Sequence, residues 1–303
     1  MTKITSLQAV AGALLACCLS AAPAAALANR TWVSGIGTDS GGCTRAAPCK
    51  TFAFALTQTA AGGEIDVLDP ADLGTVTITK SISIVNDGVG VAGILAGAGF
   101  TAITVNAGAS DSVHLRGLTI EGLTSGNSGI EFINGGNLAI ENCVIRNFYR
   151  GIYIRGTGSI SFSVSNTIAS NNDFGINIFV TTPIKGVLSN VIMNNNGYAG
   201  IDLYSFEALT NVTIADSVSS SNKIGIRLFV ATRVTVMVRN STVANNETGI
   251  AALDGALYLA RSTVTGNSTG VIASGGTIFS YGDNDIHANT NNNWGDLTPL
   301  AMH

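Results

Sequence analysis

An all-β solenoid of stacked parallel coils is the fold class this sequence predicts, and three observations predict it. The first is composition: 36 glycines but five prolines in 303 residues, with 46% hydrophobic and only 11% charged residues. An ordinary soluble domain carries about 25% charge. The second is a repeat. A Gly-Ile pair returns as Gly129-Ile130, Gly151-Ile152, Gly175-Ile176, Gly200-Ile201, Gly225-Ile226 and Gly249-Ile250, then Gly270-Val271, at spacings of 21 to 25 residues. The third is the period inside each unit, which is two: Ile152-Tyr153-Ile154, Ile176-Asn177-Ile178, Ile201-Asp202-Leu203 and Ile226-Arg227-Leu228 each alternate. Alternation over short β-branched runs means strands, and a fixed period of ~20–50 residues means a repeat architecture.

Two further markers hold phase with the glycines. About nine residues ahead of them stand Asn142, Asn166, Asn190, Asp216 and Asn240. About four ahead stand Asn147, Asn171, Asn196 and Asn245, with Asn222 and Asn267 slightly displaced. Asparagine tolerates left-handed turns, and stacked amides can bond each other as a ladder. A second alternating run precedes the first marker, as in Leu138-Ala139-Ile140 and Val236-Met237-Val238. No amphipathic helix of 10–15 residues fits between the runs. Helical repeats are excluded, and about nine coils of a single-stranded parallel β-helix fit residues 62–290. Ile130, Ile152, Ile154, Ile176, Ile178, Ile201, Leu203, Ile226 and Leu228 should point inward, with Cys143 less clearly placed.

The amino terminus reads as a signal peptide. Lys3 is the positive n-region, residues 7–19 the apolar h-region, and Ala26-Leu27-Ala28 a small-x-small cleavage site. Cleavage after Ala28 would change the formal net charge from −4 to about −5. Leu14-Leu15-Ala16-Cys17 faintly resembles a lipobox, but apolar sequence continues past the cysteine. The mature chain has no segment apolar enough to span a membrane. A secreted, periplasmic or cell-envelope location follows. Three cysteines would remain. Cys43 and Cys49 enclose a short polar loop, and an oxidising destination favours a disulfide over two free thiols.

The opening carries a family likeness. Thr31-Trp32-Val33-Ser34, Gly37-Thr38-Asp39 and Ala47-Pro48-Cys49-Lys50-Thr51-Phe52 precede a helical stretch at residues 53–61. Gly62-Gly63-Glu64-Ile65-Asp66-Val67 and Ile78-Thr79-Lys80-Ser81-Ile82-Ser83-Ile84 follow it. With the repeats, these make the chain resemble a right-handed parallel β-helix protein of the pectin-lyase-like superfamily, of exported bacterial type with no matched catalytic subfamily. The likeness spans residues 31–290. It implies right-handed coils, an amino-terminal cap over residues 29–61 with a short helix, and a covering tail at 291–303. That superfamily holds lyases, hydrolases, epimerases and adhesins, so the likeness leaves activity open.

Candidate chemistry is sparse. Gly88-Val89-Gly90-Val91-Ala92-Gly93 spells a dinucleotide fingerprint, but Gly97 and Gly99 break the helix that fingerprint needs. Turn glycines are the better reading. The Asn-Thr-Asp, Asp-Asp, Gly-His-Gly and Arg-Ile-Lys sets of the superfamily's galacturonan hydrolases are missing. So are the calcium cluster with an Arg base of its pectate lyases and the Asp-Pro-His-Glu set of its epimerases. The carboxylates fall into scattered groups, Glu64 to Asp72, Asp202 with Glu207, and Asp283 with Asp285. Calcium suits the first and last groups without any diagnostic spacing. His114 alternates with Val113 and Leu115 and reads as an outward strand residue. No cofactor and no catalytic residue is assigned, and no Cys/His cluster offers a metal site. With 15 Lys+Arg against 19 Asp+Glu, nucleic acid is not an expected partner.

One constellation stands out. Two and four residues after each glycine the side chains should face outward. This aligns Phe179, Tyr204 and Phe229 as an aromatic stripe beside Tyr153, Arg155, Asp202 and Arg227. Flat rings flanked by planar donors suit sugars, and Arg155 and Arg227 could each hold a carboxylate at two points. A cover formed by the following loops, or an oligomer contact, would explain the rings equally. The leading expectation is a non-catalytic exported protein binding polysaccharide or cell-envelope glycan along this face. The alternatives are a polysaccharide lyase or glycoside hydrolase, and a self-associating structural or adhesin-like solenoid.

Overall fold

A computed structural model describes residues 27–156, 158–206, 208–229 and 233–301, except the side chains of residues 124 and 125. The expected signal segment lies outside them apart from Leu27 and Ala28. Among the described residues twelve parallel strands, from Ala28–Val33 to Leu297–Pro299, form one long sheet. Nine of these run between Ile82–Val85 and Thr277–Ser280, in line with about nine coils. From each, the chain turns into a three-residue strand, such as Ile168–Ser170 or Ile192–Asn194. It turns again into a longer one, such as Phe174–Val180 or Ala199–Ser205. Each row pairs in parallel with the same row of the next coil, so Ile152, Ile176, Ile201, Ile226, Ile250 and Val271 stand in one register line. All nine residues expected inward are buried.

The asparagines expected about four residues ahead of each glycine divide between a turn column and a buried ladder. Asn147, Asn171, Asn195, Ser221 and Asn245 have φ between 55° and 65°, and Gly266 continues the column at 68°. Asn142, Asn166, Asn190, Asp216 and Asn240 occupy the other left-handed turn. Asn196, Asn222 and Asn267 belong to neither. With Asn172, Asn246 and Asn289 they form a ladder one residue further on. In it Asn172 Nδ2 donates to Asn196 Oδ1 (3.3 Å), Asn196 to Asn222 (3.0 Å), Asn222 to Asn246 (3.2 Å) and Asn246 to Asn267 (3.0 Å). Each of these amides also donates to a backbone carbonyl of the coil before, as Asn196 does to Ala169 O at 3.2 Å. Each Oδ1 from Asn196 onward also accepts the backbone N–H of the preceding ladder residue. Every hydrogen-bonding position of the buried amide is used, which satisfies the turn's backbone without water.

Packing compensates across coils as well. Gly186 stands where Phe162 fills the core of the neighbouring coil, and a Cβ on Gly186 would lie 2.2 Å from the Phe162 ring. A large side chain in one layer is matched by none in the next.

The amino-terminal end differs from expectation in one element. The helix covers Phe52–Gln58, capped by Thr51, and a strand follows from Thr59 to Val67. Residues 59–61, expected as helix, pair instead beside strand Ala28–Val33, with Thr59 opposite Ala28. Tertiary pairing of β-branched Thr59 overrides the helix propensity of two alanines. Cys43 and Cys49 are disulfide-bonded. Their loop lies along the outer edge of that first strand: Trp32 N–H donates to Cys43 O, Cys49 N–H to Trp32 O, and Ser34 N–H to Cys49 O, at 2.8–3.0 Å. The Gly88–Gly93 motif is a turn, with φ of 88° at Gly88 and 102° at Gly90, and it leads into strand Ala92–Ala96. Among the described residues no helix is long and apolar enough to cross a membrane.

Candidate functional site

The strands that follow the ladder carry an outward face of unusual composition. Its central column runs Glu131, Tyr153, Asn177, Asp202, Arg227, in direct register from coil to coil. Bordering it on the exit side are Phe179, Tyr204 and Phe229. Phe179 is 44% and Phe229 39% exposed, so among the described residues no loop buries the two outer rings of the stripe. Most of the loop after Phe229 (230–232), and Glu207, lie outside those residues. Equal register in adjacent strands brings Phe179 and Tyr204 into a stack, centroids 4.8 Å apart and planes 16° apart, with Tyr204–Phe229 at 5.8 Å and 55°. The ring faces expected to meet sugars are therefore partly turned on each other.

The central column is outward of the core yet largely covered. Asp202 is only 4% exposed, and Asn177 and Glu131 are also buried. The reason is a chain of hydrogen bonds. Arg227 Nε donates to Asp202 Oδ1 (2.6 Å) and its Nη1 to the Tyr198 hydroxyl (2.5 Å). Asn177 Nδ2 donates to Asp202 Oδ2 (2.9 Å), and Arg150 Nε to Asn177 Oδ1 (3.0 Å). Arg155 Nε bonds Glu131 Oε1 at 2.5 Å. Arg155 and Arg227, expected to hold a ligand carboxylate, each already engage a buried carboxylate of the neighbouring coil through Nε. Burial pushes the Tyr153 hydroxyl above its ordinary range.

A second aromatic column, not expected from the sequence, borders the entry side. Tyr149 and Phe174 meet edge-on at 5.5 Å, and Phe174 and Tyr198 at 5.0 Å. Tyr149 is 42% exposed and forms one wall of a shallow open groove of about 660 Å³, with Asn147, Asn171, Asp173, Asn195 and Gly197 along it. These rings precede the glycine, where the chain bends, so their offsets follow neither alternation nor a constant spacing. The signal that could have found them is Tyr149-Arg150, Asp173-Phe174 and Gly197-Tyr198 recurring just before Gly151, Gly175 and Gly200.

Several other ionisable groups engage partners within the fold. His114 Nε2 lies 3.5 Å from Glu141 on the long sheet. Glu64 and Asp66 pair with Arg30. Asp69 accepts from Ser34 Oγ and Gly35 N, and Asp72 from Gly74 N and Leu95 N. Among the described residues no three His, Cys, Asp or Glu side chains come together as a metal site.

Comparison with known proteins follows this geometry. No curated protein sequence matches the chain. Among solved structures it superposes on pectate lyase Pel9A at 16% identity, covering 88% of this chain and 80% of that one, with a TM-score of 0.58. It superposes on a rhamnogalacturonan lyase at 14% identity, covering 82% and 75%, with a TM-score of 0.56. At such identities the likeness is one of fold, the pectin-lyase-like solenoid. A family model described as a right handed beta helix region matches residues 101–269, more than half of the sequence, and the chain belongs to that family.

Proposed function

We propose that this chain is an exported, non-catalytic protein that binds polysaccharide or cell-envelope glycan along the face built by strands Val144–Ile154, Phe174–Val180, Ala199–Ser205 and Ile224–Phe229. The observation that carries the reading is the pair of aromatic columns, exposed at Tyr149, Phe179 and Phe229, with a groove of asparagine amides beside Tyr149. Exposed rings cluster where something is bound, and rings with neighbouring amides match the apolar C–H patches and hydroxyls of sugars. Repetition extends such a face along the axis, as solenoid binding surfaces do. Both carboxylates at its centre are engaged by arginines of the neighbouring coil. The lyase names of the two structural neighbours suggest polysaccharide as the class to test first.

Affinity electrophoresis of the protein through gels containing acidic and neutral polysaccharides tests the reading. Retardation that falls about tenfold in Tyr149→Ala and Phe179→Ala is the expected result. Retardation by no polysaccharide would overturn it. Release of unsaturated or reducing sugars from any of these polymers would overturn the non-catalytic part. Amino-terminal sequencing of protein recovered outside the cytoplasm should begin at Asn29.

A further inference from the structure

Resting on that glycan-binding reading, we infer that Arg150 is the anion-recognising residue of the face, and that the ligand carries a carboxylate or sulfate at this subsite. Four arginines lie on or beside the central column. Arg146 is paired with Glu121, Arg155 with Glu131 and Arg227 with Asp202. Arg227 also lies against two rings, 4.8 Å from Tyr198 and 5.0 Å from Phe229, and Arg150 differs from all three in having no carboxylate partner among the described residues. Its Nε donates to the neutral carbonyl of Asn177 at 3.0 Å, and its guanidinium carbon lies 4.4 Å from the ring centroids of both Tyr149 and Tyr153. Among the described residues no carboxylate forms an ion pair with it. Asp173, the acidic residue of the adjoining groove, is part of no ion pair either.

The consequences are electrostatic and geometric. Two rings and one amide fix the plane of the guanidinium without cancelling its charge. Nη1 and Nη2 are free of partners among the described residues, and together they make a fork that fits a two-oxygen anion. A cation over an aromatic ring is held by the ring quadrupole and gives up little hydration when a ligand arrives. The ordering cost of a long side chain has already been met in the unliganded fold. Across the strand pairing stands Ser128, fully buried, with a hydroxyl that has no hydrogen-bond partner. On a chain of net charge −4, one oriented and unbalanced arginine beside an amide-lined groove is a local site of anion selection.

The test compares the full-length protein with Arg150→Gln, Arg150→Lys and, as a control of equal charge change, Lys185→Gln on the exposed face of the long sheet. The probes are polygalacturonate, its fully methyl-esterified form, and a sulfated galactan. Arg150→Gln should weaken binding of the acidic polymer at least tenfold. Arg150→Lys should be intermediate because it keeps the charge and loses the fork, and Lys185→Gln should leave binding unchanged. Esterification should reduce binding of the parent to the level of Arg150→Gln. Preference for the sulfated polymer would identify sulfate as the group read, and preference for polygalacturonate the carboxylate. Equal binding of the esterified polymer and both acidic polymers, or equal binding by the parent and Arg150→Gln, would overturn the inference while leaving glycan binding intact. Binding of none of the polymers would overturn the proposed function itself. Thermal unfolding of each variant separates lost recognition from lost structure.

Discussion

Gly175 and Asn196 are one device seen from two coils: a Cβ on Gly175 would lie 3.0 Å from Nδ2 of Asn196 and 2.6 Å from the carbonyl oxygen of Gly200. The same holds for Gly151 with Asn172, Gly225 with Asn246 and Gly249 with Asn267. None of these glycines has positive φ, so the residue is required for space and not for backbone freedom. Two markers that recur together in the sequence thus recur because each ladder amide is seated against the glycine of the previous coil.

Replacing Asn196 by Ala should destabilise the protein by about 3 kcal/mol. The change leaves the N–H of Asn172 without its acceptor and removes one of the two hydrogen bonds made by Nδ2 of Asn172 and by Oδ1 of Asn222, together with the one to the carbonyl of Ala169, and buried groups left unpaired cost about 1–3 kcal/mol each before relaxation. Gly175→Ala should cost about 2 kcal/mol or more by overpacking. Urea unfolding measures both. The two changes should be non-additive in the double variant, because they disturb a single contact.

Tyr204→Ala should lower stability by only about 1 kcal/mol, the scale of an aromatic pair outside the core. Ile201→Ala, three residues before it on the same strand and fully inward, should cost about 2–5 kcal/mol. A ratio near one between the two losses, measured by the same denaturation, would mean that the stripe is part of the packing and not a surface.

The buried thiol of Cys143 gives a pH signature. Desolvation pushes it up to about 11, so the folded state disfavours the thiolate. The unfolded chain releases that proton near pH ~8.5. Stability should therefore be undiminished below pH ~8.5, fall as pH rises beyond it, and level off past pH 11, with a total loss of about 3 kcal/mol. Cys143→Ser should remove this slope and remain folded. Thr167, Ser217, Ser241 and Ser262 occupy the same column, each donating its hydroxyl to the carbonyl two residues back, as Cys143 Sγ does to Glu141 O at 3.3 Å. Denaturation of both proteins from pH 7 to 11.5 checks the sign.

Removing the Cys43–Cys49 bond should cost about 2 kcal/mol, the loop-closure value for so short a ring, and should also change association. The loop covers the free edge of strand Ala28–Val33, and an uncovered edge pairs with other chains. The Cys43→Ser/Cys49→Ser protein should sediment as larger species with rising concentration. The parent should show a smaller change over the same range.

Much of this protein was legible from sequence alone: the period, the parallel strands, the inward isoleucines, the left-handed turns and the disulfide loop. All rest on local alternation and on residue types with narrow conformational preferences, and these act within one coil. What one coil could not determine was settled between coils. The position of Asn196 in a buried ladder, one residue beyond the turn column of Asn171 and Asn195, depends on which amide meets the glycine of the neighbouring coil. Phe179 and Tyr204 stack because equal registers bring them 4.8 Å apart, which turns ring faces away from solvent. Arg227 was assigned to a ligand from its charge and its outward position, but Asp202, 25 residues back, reaches it first at 2.6 Å. The pairing of charges and rings is a contest among neighbours brought together by stacking, and only the tertiary structure shows which neighbour wins.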